Sequence, residues 1–329
     1  MERINNIEKK YTLVSLFAGI GGIDLGFEFA GFDCIWANDF DKAACQTYRA
    51  NVGNQIVEGD IRLVKDQIPN HDVLIGGFPC QPFSTLGKLQ GFEDKQNRGT
   101  LFFEIMDIAA KHDTKVIVLE NVKNLTTHNG GQTFARIQEE MDKAGYYFNW
   151  QILNSQDYGI PQRRNRVFMV CFNKKYFKNV PFTYPEKEPL TVTTQDLLDK
   201  NVEERYFLTE KISHTILGMG TKGYIVKPTI DLPISKTLTA TMHKMHRASQ
   251  DNYVTDQVNF DKNVTDKQNR INVRKLTPNE CRQLQGFPGD WKQVVADGQA
   301  YKQFGNAVTV DVAYKVACQV MKHIENNKI

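Results

Sequence analysis

Thr12-Leu13-Val14-Ser15-Leu16-Phe17-Ala18-Gly19-Ile20-Gly21-Gly22-Ile23 decides how this chain folds. Residues 12–17 form an apolar run of strand length, glycines then let the backbone turn, and residues 23–30 carry a helical pattern. A strand, a glycine turn and a helix open an α/β fold of the nucleotide-binding kind. Residues 34–37 and 55–57 read as the next strands, ending at Asn38-Asp39-Phe40 and Glu58-Gly59-Asp60-Ile61. Open α/β sheets bind ligands at the carboxyl ends of their strands. Asp39, about 20 residues past the glycines, is placed to accept from ribose hydroxyls. A pyrophosphate needs bare glycine, but bulky Phe17 opens this turn. Phe17 and Phe40 suit the flanks of an adenine or a sulfonium and Asp60 suits an adenine amine, so S-adenosylmethionine fits better than NAD.

Two later strands bring chemistry to the same edge. Val73-Leu74-Ile75 runs into Gly76-Gly77-Phe78-Pro79-Cys80-Gln81-Pro82-Phe83-Ser84, where two prolines stiffen the turn that presents the Cys80 thiol. Val116-Ile117-Val118-Leu119 should lie parallel to it and ends at Glu120-Asn121-Val122. A carboxyl directly after an apolar strand loses solvent, which raises its pKa and suits it to donate a proton. The plainer readings are an inert buried thiol and a capping or surface glutamate. Residues 81–100 are polar, aperiodic and long for a connection, and are expected to close as a lid. Helices are expected at 101–110 and 132–144, and strands at 148–153 and 166–172 should close the sheet as an antiparallel pair. Between them Gln162-Arg163-Arg164-Asn165-Arg166 is suited to an anion or a base.

The chain has 329 residues, enough for a large domain with a second lobe. No apolar run approaches a membrane span and the opening residues are not signal-like, so a cytoplasmic location is expected. The six cysteines, at 34, 45, 80, 171, 281 and 318, form no metal-like or disulfide-like spacing, so no metal is expected. Net charge is only +3, but residues 205–275 hold 12 Lys and Arg against 6 Asp and Glu, which leaves the remainder slightly acidic. That asymmetry suits contact with phosphates. After Pro181 the composition shifts to short apolar runs rich in Thr and Asn, read as an irregular β-rich lobe. Within it Thr237-Leu238-Thr239-Ala240-Thr241-Met242-His243-Lys244-Met245-His246-Arg247 could read base edges, although a surface hairpin would look the same. Thr277-Pro278-Asn279-Glu280 has capping-box spacing. Gly305-Asn306-Ala307-Val308 is expected to start the last helix, with Val308, Val312, Val316 and Val320 on its core face.

A thiol and a protonated carboxyl beside a methyl donor suit methyl transfer to a carbon that is not nucleophilic by itself, such as cytosine C5. The chain resembles the cytosine-C5 DNA methyltransferases, of the short bacterial restriction-modification type. The resemblance runs in order over nearly the whole chain. It is carried by residues 17–22, 38–40, 59–61 and 77–84, Arg98-Gly99-Thr100-Leu101-Phe102, residues 120–122 and 162–166, Arg274-Lys275-Leu276-Thr277-Pro278 with Gln285-Gly286-Phe287-Pro288, and Gln303-Phe304-Gly305-Asn306-Ala307-Val308.

The resemblance implies a Rossmann-like S-adenosylmethionine-dependent methyltransferase sheet over residues 1–184. A target-recognition lobe would follow at 185–300, and 301–329 would return to the catalytic domain. It makes Cys80 the nucleophile and Glu120 the N3 donor, with Arg164 and Arg166 fixing the flipped base and the carboxylate. Cofactor contacts would be Phe17, Gly19, Gly21, Asp39, Phe40, Asp60, Ile61, Pro79, Leu101 and Asn306. DNA contacts would be Ser84, Leu86, Thr237, Lys244, His246 and Arg247. Two departures stand out: Phe40 replaces the Trp common in the family, and Asn165 replaces an acid between the arginines. The implied partners are double-stranded DNA, met as a monomer near the nucleoid, and a restriction endonuclease acting separately. A tRNA cytosine methyltransferase, a non-catalytic nucleic-acid-binding module and an NAD-dependent oxidoreductase are the competing readings.

Overall fold

The computed structural model describes residues 8–79, 101–218, 229–244 and 246–329. In chain order the elements begin β1 (Tyr11–Leu16), α1 (Gly22–Phe29), β2 (Phe32–Asp39), α2 (Lys42–Asn51), β3 (Ile56–Glu58), α3 (Ile61–Val64), β4 (Val73–Gly76), α4 (Leu101–Lys111), β5 (Val116–Val122), α5 (Gln132–Lys143), β6 (Tyr146–Asn154), β7 (Gln162–Arg163) and β8 (Asn165–Asn173). They continue β9 (Phe207–Thr209), α6 (Glu210–Leu217), β10 (Ser235–Lys236), β11 (Tyr253–Thr255), α7 (Gln257–Asn263), β12 (Arg270–Lys275), α8 (Pro278–Gln283), α9 (Asp297–Asn306) and α10 (Val310–Asn327). Cys80, Ser84, Leu86 and the expected lid at 81–100 lie outside the described residues.

The chain divides into two compact units. Within the described residues the larger comprises 8–79, 101–154, 165–186 and 312–329, and the smaller 155–164, 187–218, 229–244 and 246–311.

The larger unit is built on a seven-stranded sheet of order β3-β2-β1-β4-β5-β8-β6. Strands β1 to β5 are parallel to one another, and β8 runs antiparallel to both β5 and β6. Parallel strands covered on both faces need continuous apolar runs. Leu13, Val14, Leu16, Val73, Leu74, Ile75, Val116, Ile117 and Leu119 are accordingly each 0% exposed. Phe102, Ile105 and Ile108 of α4 and Phe134, Ile137 and Met141 of α5 complete the core. The expected closing pair forms, but β8 is inserted between β5 and β6, leaving β6 at the edge. Strand order reverses between β1 and β4, which makes the crevice above them the place for a ligand.

The last helix is α10, whose Val312, Val316 and Val320 are buried. It does not start at Gly305, as the sequence suggested. Gly305 and Asn306 end α9 instead, and α10 begins at Val310. At Gly305 two backbones approach closely: a Cβ there would lie 2.2 Å from the carbonyl carbon of Thr239.

The smaller unit holds a three-stranded antiparallel sheet, β11-β12-β9, and a short parallel pair, β10-β7. Besides an apolar cluster of Leu208, Ile216, Tyr253 and Val273, it holds a buried ionic group. Arg274, 0% exposed, meets Asp256 at 2.7 Å and Glu280 at 2.8 Å. Glu280 also closes the expected capping box with Thr277 at the start of α8. Three charges out of water persist only while each has its partner. Among the described residues no helix is long and apolar enough to cross a membrane.

Candidate active site

At the carboxyl ends of β4 and β5 the register sets Gly76 opposite Leu119, so Gly77 and Glu120 follow side by side. A Cβ on Gly77 would lie 3.3 Å from Glu120 Oε2, closer than side chains normally pack. Glycine is needed here for room, three residues before Cys80.

Glu120 is 7% exposed, and its Oε1 accepts from Arg166 Nε at 2.9 Å. Arg166 stands opposite Val122 on β8, a diagonal cross-strand neighbour of Glu120. Its guanidinium also donates to the Asn165 carbonyl at 2.9 Å. A near-buried carboxyl held by a near-buried guanidinium has one fixed orientation. Asn121, also buried, donates from Nδ2 to the Phe78 carbonyl at 2.7 Å, while its Oδ1 accepts from the Val122 amide. It therefore ties the end of β5 to the segment entering Cys80. Sequence reasoning quoted Asn121 without giving it a role; a polar side chain closing an apolar strand was the available signal.

Arg164 does not join Arg166. It lies outside β7 and β8, is 1% exposed, and donates to the carbonyls of Leu238 (2.8 Å), Gly305 (3.0 Å) and Ala307 (2.6 Å) in the smaller unit. Residues two apart at the end of a chain crossing need not share a face, and this guanidinium serves three backbone acceptors instead.

The expected cofactor residues of the larger unit gather at the ends of β1, β2 and β3. Phe17 leaves β1 in the left-handed region at φ 56, and Gly21 caps α1 at φ 87. Asp39 accepts the amides of Gly19 and Asp41, each at 2.8 Å. Burial pushes its carboxyl up, against those amides. Phe40 is 74% exposed, an aromatic face open at the sheet edge. Asp60 caps α3 and is paired with Arg62, whose hydrogen bond holds its carboxyl low. Ile61 is buried and Pro79 exposed, and Leu101 opens α4 packed on the core. Asn306 belongs to the smaller unit, exposed at the end of α9. A Cβ on Gly19 would meet nothing within 4 Å. An open glycine, a carboxylate with acceptor capacity and an uncovered aromatic ring fit an adenosyl cofactor.

Beneath the glycine turn lies a carboxylate that no motif announced. Asp24, on α1 and 0% exposed, accepts from Tyr48 Oη at 2.8 Å and Ser15 Oγ at 3.0 Å. Burial outweighs these bonds and raises its pKa to about 6.

In the smaller unit Lys244 is exposed and His246 half-buried. Thr237 bonds the Arg163 carbonyl. Arg247 is committed within its own turn: its guanidinium lies 3.2 Å from Asp251 Oδ1 and 2.9 Å from Thr239 Oγ1. The turn is thereby held from inside, and reading a base would require Arg247 to leave it.

The sequence matches the family model described as C-5 cytosine-specific DNA methylase over residues 11–322. It is 38% identical over 322 residues to the Type II methyltransferase M.Bsp6I of Bacillus sp. (strain RFL6), covering 94% of this chain and 98% of that protein. To the Type II methyltransferase M.DsaV of Dactylococcopsis salina it is 36% identical over 328 residues, covering 97% and 88%. The fold is similar to the crystal structure of S. pombe Dnmt2 methyltransferase, with TM-score 0.71, 18% identity, and 95% and 99% of the two chains covered. It is also similar to the Entamoeba histolytica methyltransferase EhMeth, at TM-score 0.68, 22% identity and coverage of 96% and 98%.

Proposed function

Because the chain belongs to the C-5 cytosine-specific DNA methylase family, we propose that it methylates cytosine within a short duplex sequence through a covalent adduct on Cys80. It is a DNA cytosine-5-methyltransferase of the Type II restriction-modification kind. The observation that carries the mechanism is Glu120, held by Arg166 beside Gly77 on the path to Cys80.

Cytosine C5 lacks the electron density to take a methyl group. Attack of the Cys80 thiolate at C6 forms a C6–S bond, and the electron pair displaced from the C5–C6 bond moves toward N3. Glu120 donates a proton there, which leaves an enamine with a nucleophilic C5. S-adenosylmethionine, when bound, supplies the electrophilic methyl. Water then takes the C5 proton, the C6–S bond breaks to return the thiolate, and the N3 proton goes back to Glu120. Arg166 acts by holding the Glu120 carboxyl in line with N3. The reacting ring must leave the duplex stack to reach these groups. Phe17, Asp39, Phe40 and Asp60 are assigned to the adenosyl moiety. Arg164 is assigned to the framework of the smaller unit, on the strength of its three carbonyl partners.

Sequence choice is assigned to residues 185–300, the lobe that holds the local positive excess, with Lys244 the exposed cation at its turn. A restriction endonuclease cutting the same sequence is the expected separate partner. Bisulfite sequencing of DNA from a host expressing wild type or Glu120→Gln tests the activity. Wild type should leave one short motif methylated, and the variant should lose at least about 100-fold, the usual worth of a positioned acid. Full methylation by Glu120→Gln would remove that residue from the chemistry, and methyl transfer confined to tRNA would move the substrate to RNA.

A further inference from the structure

Behind Thr237 and Leu238, within the smaller unit, is an open-mouthed cavity of about 390 Å³, solvent at its mouth included, lined by Thr239, His246, Gln250, Tyr253 and Lys275 among others. Its enclosed depth is only of water size. Lys275 leaves β12 half-buried, with its ammonium over the rings of Tyr206 and Tyr301, 5.9 and 4.9 Å from their centroids. Burial holds its pKa below the ordinary lysine value, with Asp297 acting the other way.

Of the carboxylates here, Asp251 lines the cavity itself and Asp297 lies near Lys275, and both already have partners. Asp297 accepts from Tyr206 Oη at 2.8 Å and stands 3.6 Å from Arg205, and Asp251 holds Arg247. His246 stacks on Tyr253, and burial, with Lys275 next, keeps its pKa low, so the ring brings hydrogen bonding and no charge near neutrality. A half-buried cation supported by aromatic faces and left, among the described residues, without a dedicated counter-ion is arranged for an anion from outside.

We propose that this cavity is a phosphate site in which a non-bridging oxygen of the DNA backbone meets Lys275, with the His246 ring and the Gln250 amide as neutral partners. The site rests on duplex DNA being the substrate. The water-sized depth takes an oxygen, and a contact to a backbone phosphate positions the duplex under the Thr237 turn without reading sequence.

The test is a phosphate scan. Duplexes carrying one methylphosphonate, walked along both strands of the methylated motif, are titrated with wild type, Lys275→Met and Lys275→Arg. At one position the neutral linkage should weaken wild type and Lys275→Arg but leave Lys275→Met unaffected. On unmodified duplex the wild-type advantage over Lys275→Met should shrink about 3.5-fold between about 50 and about 200 mM salt, the counterion release of one contact. Lys275→Gln gives the same readout if methionine lowers the melting temperature. Linkages that matter equally to wild type and to these neutral variants would overturn the site. Wild type that binds no duplex at all would overturn the duplex reading and the site with it, whereas normal duplex binding with unchanged Lys275 variants overturns the site alone.

Discussion

Replacing Asp24 by asparagine should stabilise the protein at neutral pH and bring progressively less in acid. Asp24 is fully buried, and its pKa of about 6 stands against an ordinary 3.8. The folded protein binds this proton more tightly than the unfolded chain, so the stability that the neutral carboxyl confers is present below pH 3.8 and lost as pH rises through 6. Two pKa units correspond to about 3 kcal/mol once the group is ionised. Asparagine resembles the neutral acid, can still accept from Tyr48, and requires the Ser15 hydroxyl to turn and accept, a rearrangement costing about 1 kcal/mol. That cost does not vary with pH. The net gain at pH 7.5 is therefore about 2 kcal/mol, and the difference between variant and wild type should itself grow by about 2 kcal/mol from pH 4.5 to 7.5. Urea denaturation of both proteins at the two pH values, followed by circular dichroism, measures it. A difference that stays constant with pH would refute the reasoning, because it would mean that Asp24 is not the group that titrates.

Gly77→Ala places a methyl 3.3 Å from Glu120 Oε2, so methyl transfer should fall about tenfold or more through the displaced carboxyl, with the urea midpoint little changed; unaltered kcat would show that the carboxyl has room. Asn121→Ala removes the bond to the Phe78 carbonyl and should cost about 1 kcal/mol of stability and about 100-fold in rate, with cofactor affinity in equilibrium dialysis as the control that should barely move. Arg274→Met leaves buried Glu280 and half-buried Asp256 without their cation and should destabilise by about 3–5 kcal/mol in urea titration; a loss under about 1 kcal/mol would mean that solvent reaches Glu280 as well.

The parallel half of the sheet was legible because its strands carry short apolar runs closed by glycine or acid, a local pattern with no competing period. Helix α8 was legible for a similar reason, since Thr277 and Glu280 cap within a single turn. The place of β8 between β5 and β6 was not legible, since pairing order is set by long-range packing that both strands satisfy equally in sequence. Arg164 and Arg166 show the same limit at residue scale: they sit two apart in one cationic run, yet one meets Glu120 and the other carbonyls at 238, 305 and 307. The i, i+4 spacing of Arg247 and Asp251 was visible in the chain, but a basic residue in a basic lobe invited a DNA contact before a local ion pair. Gly305 was taken for a helix start because glycine also marks turns, whereas here it makes room for the backbone at Thr239. Asp24 carries no motif, and Lys275 is quoted within one but given no role, because burial, not residue type, makes them unusual.

The central claim is a covalent bond from Cys80 to C6 of the target cytosine, prepared by Glu120. Incubating wild type and Cys80→Ser with S-adenosylmethionine and a duplex bearing 5-fluorocytosine at the methylated position tests it most directly, because fluorine cannot leave as a proton and the C6–S bond cannot then be released. The account predicts a denaturation-resistant complex with wild type alone, with peptide mass mapping placing the nucleotide on Cys80. Methylation of ordinary cytosine with no trapped complex, or an adduct on any other residue, would contradict it.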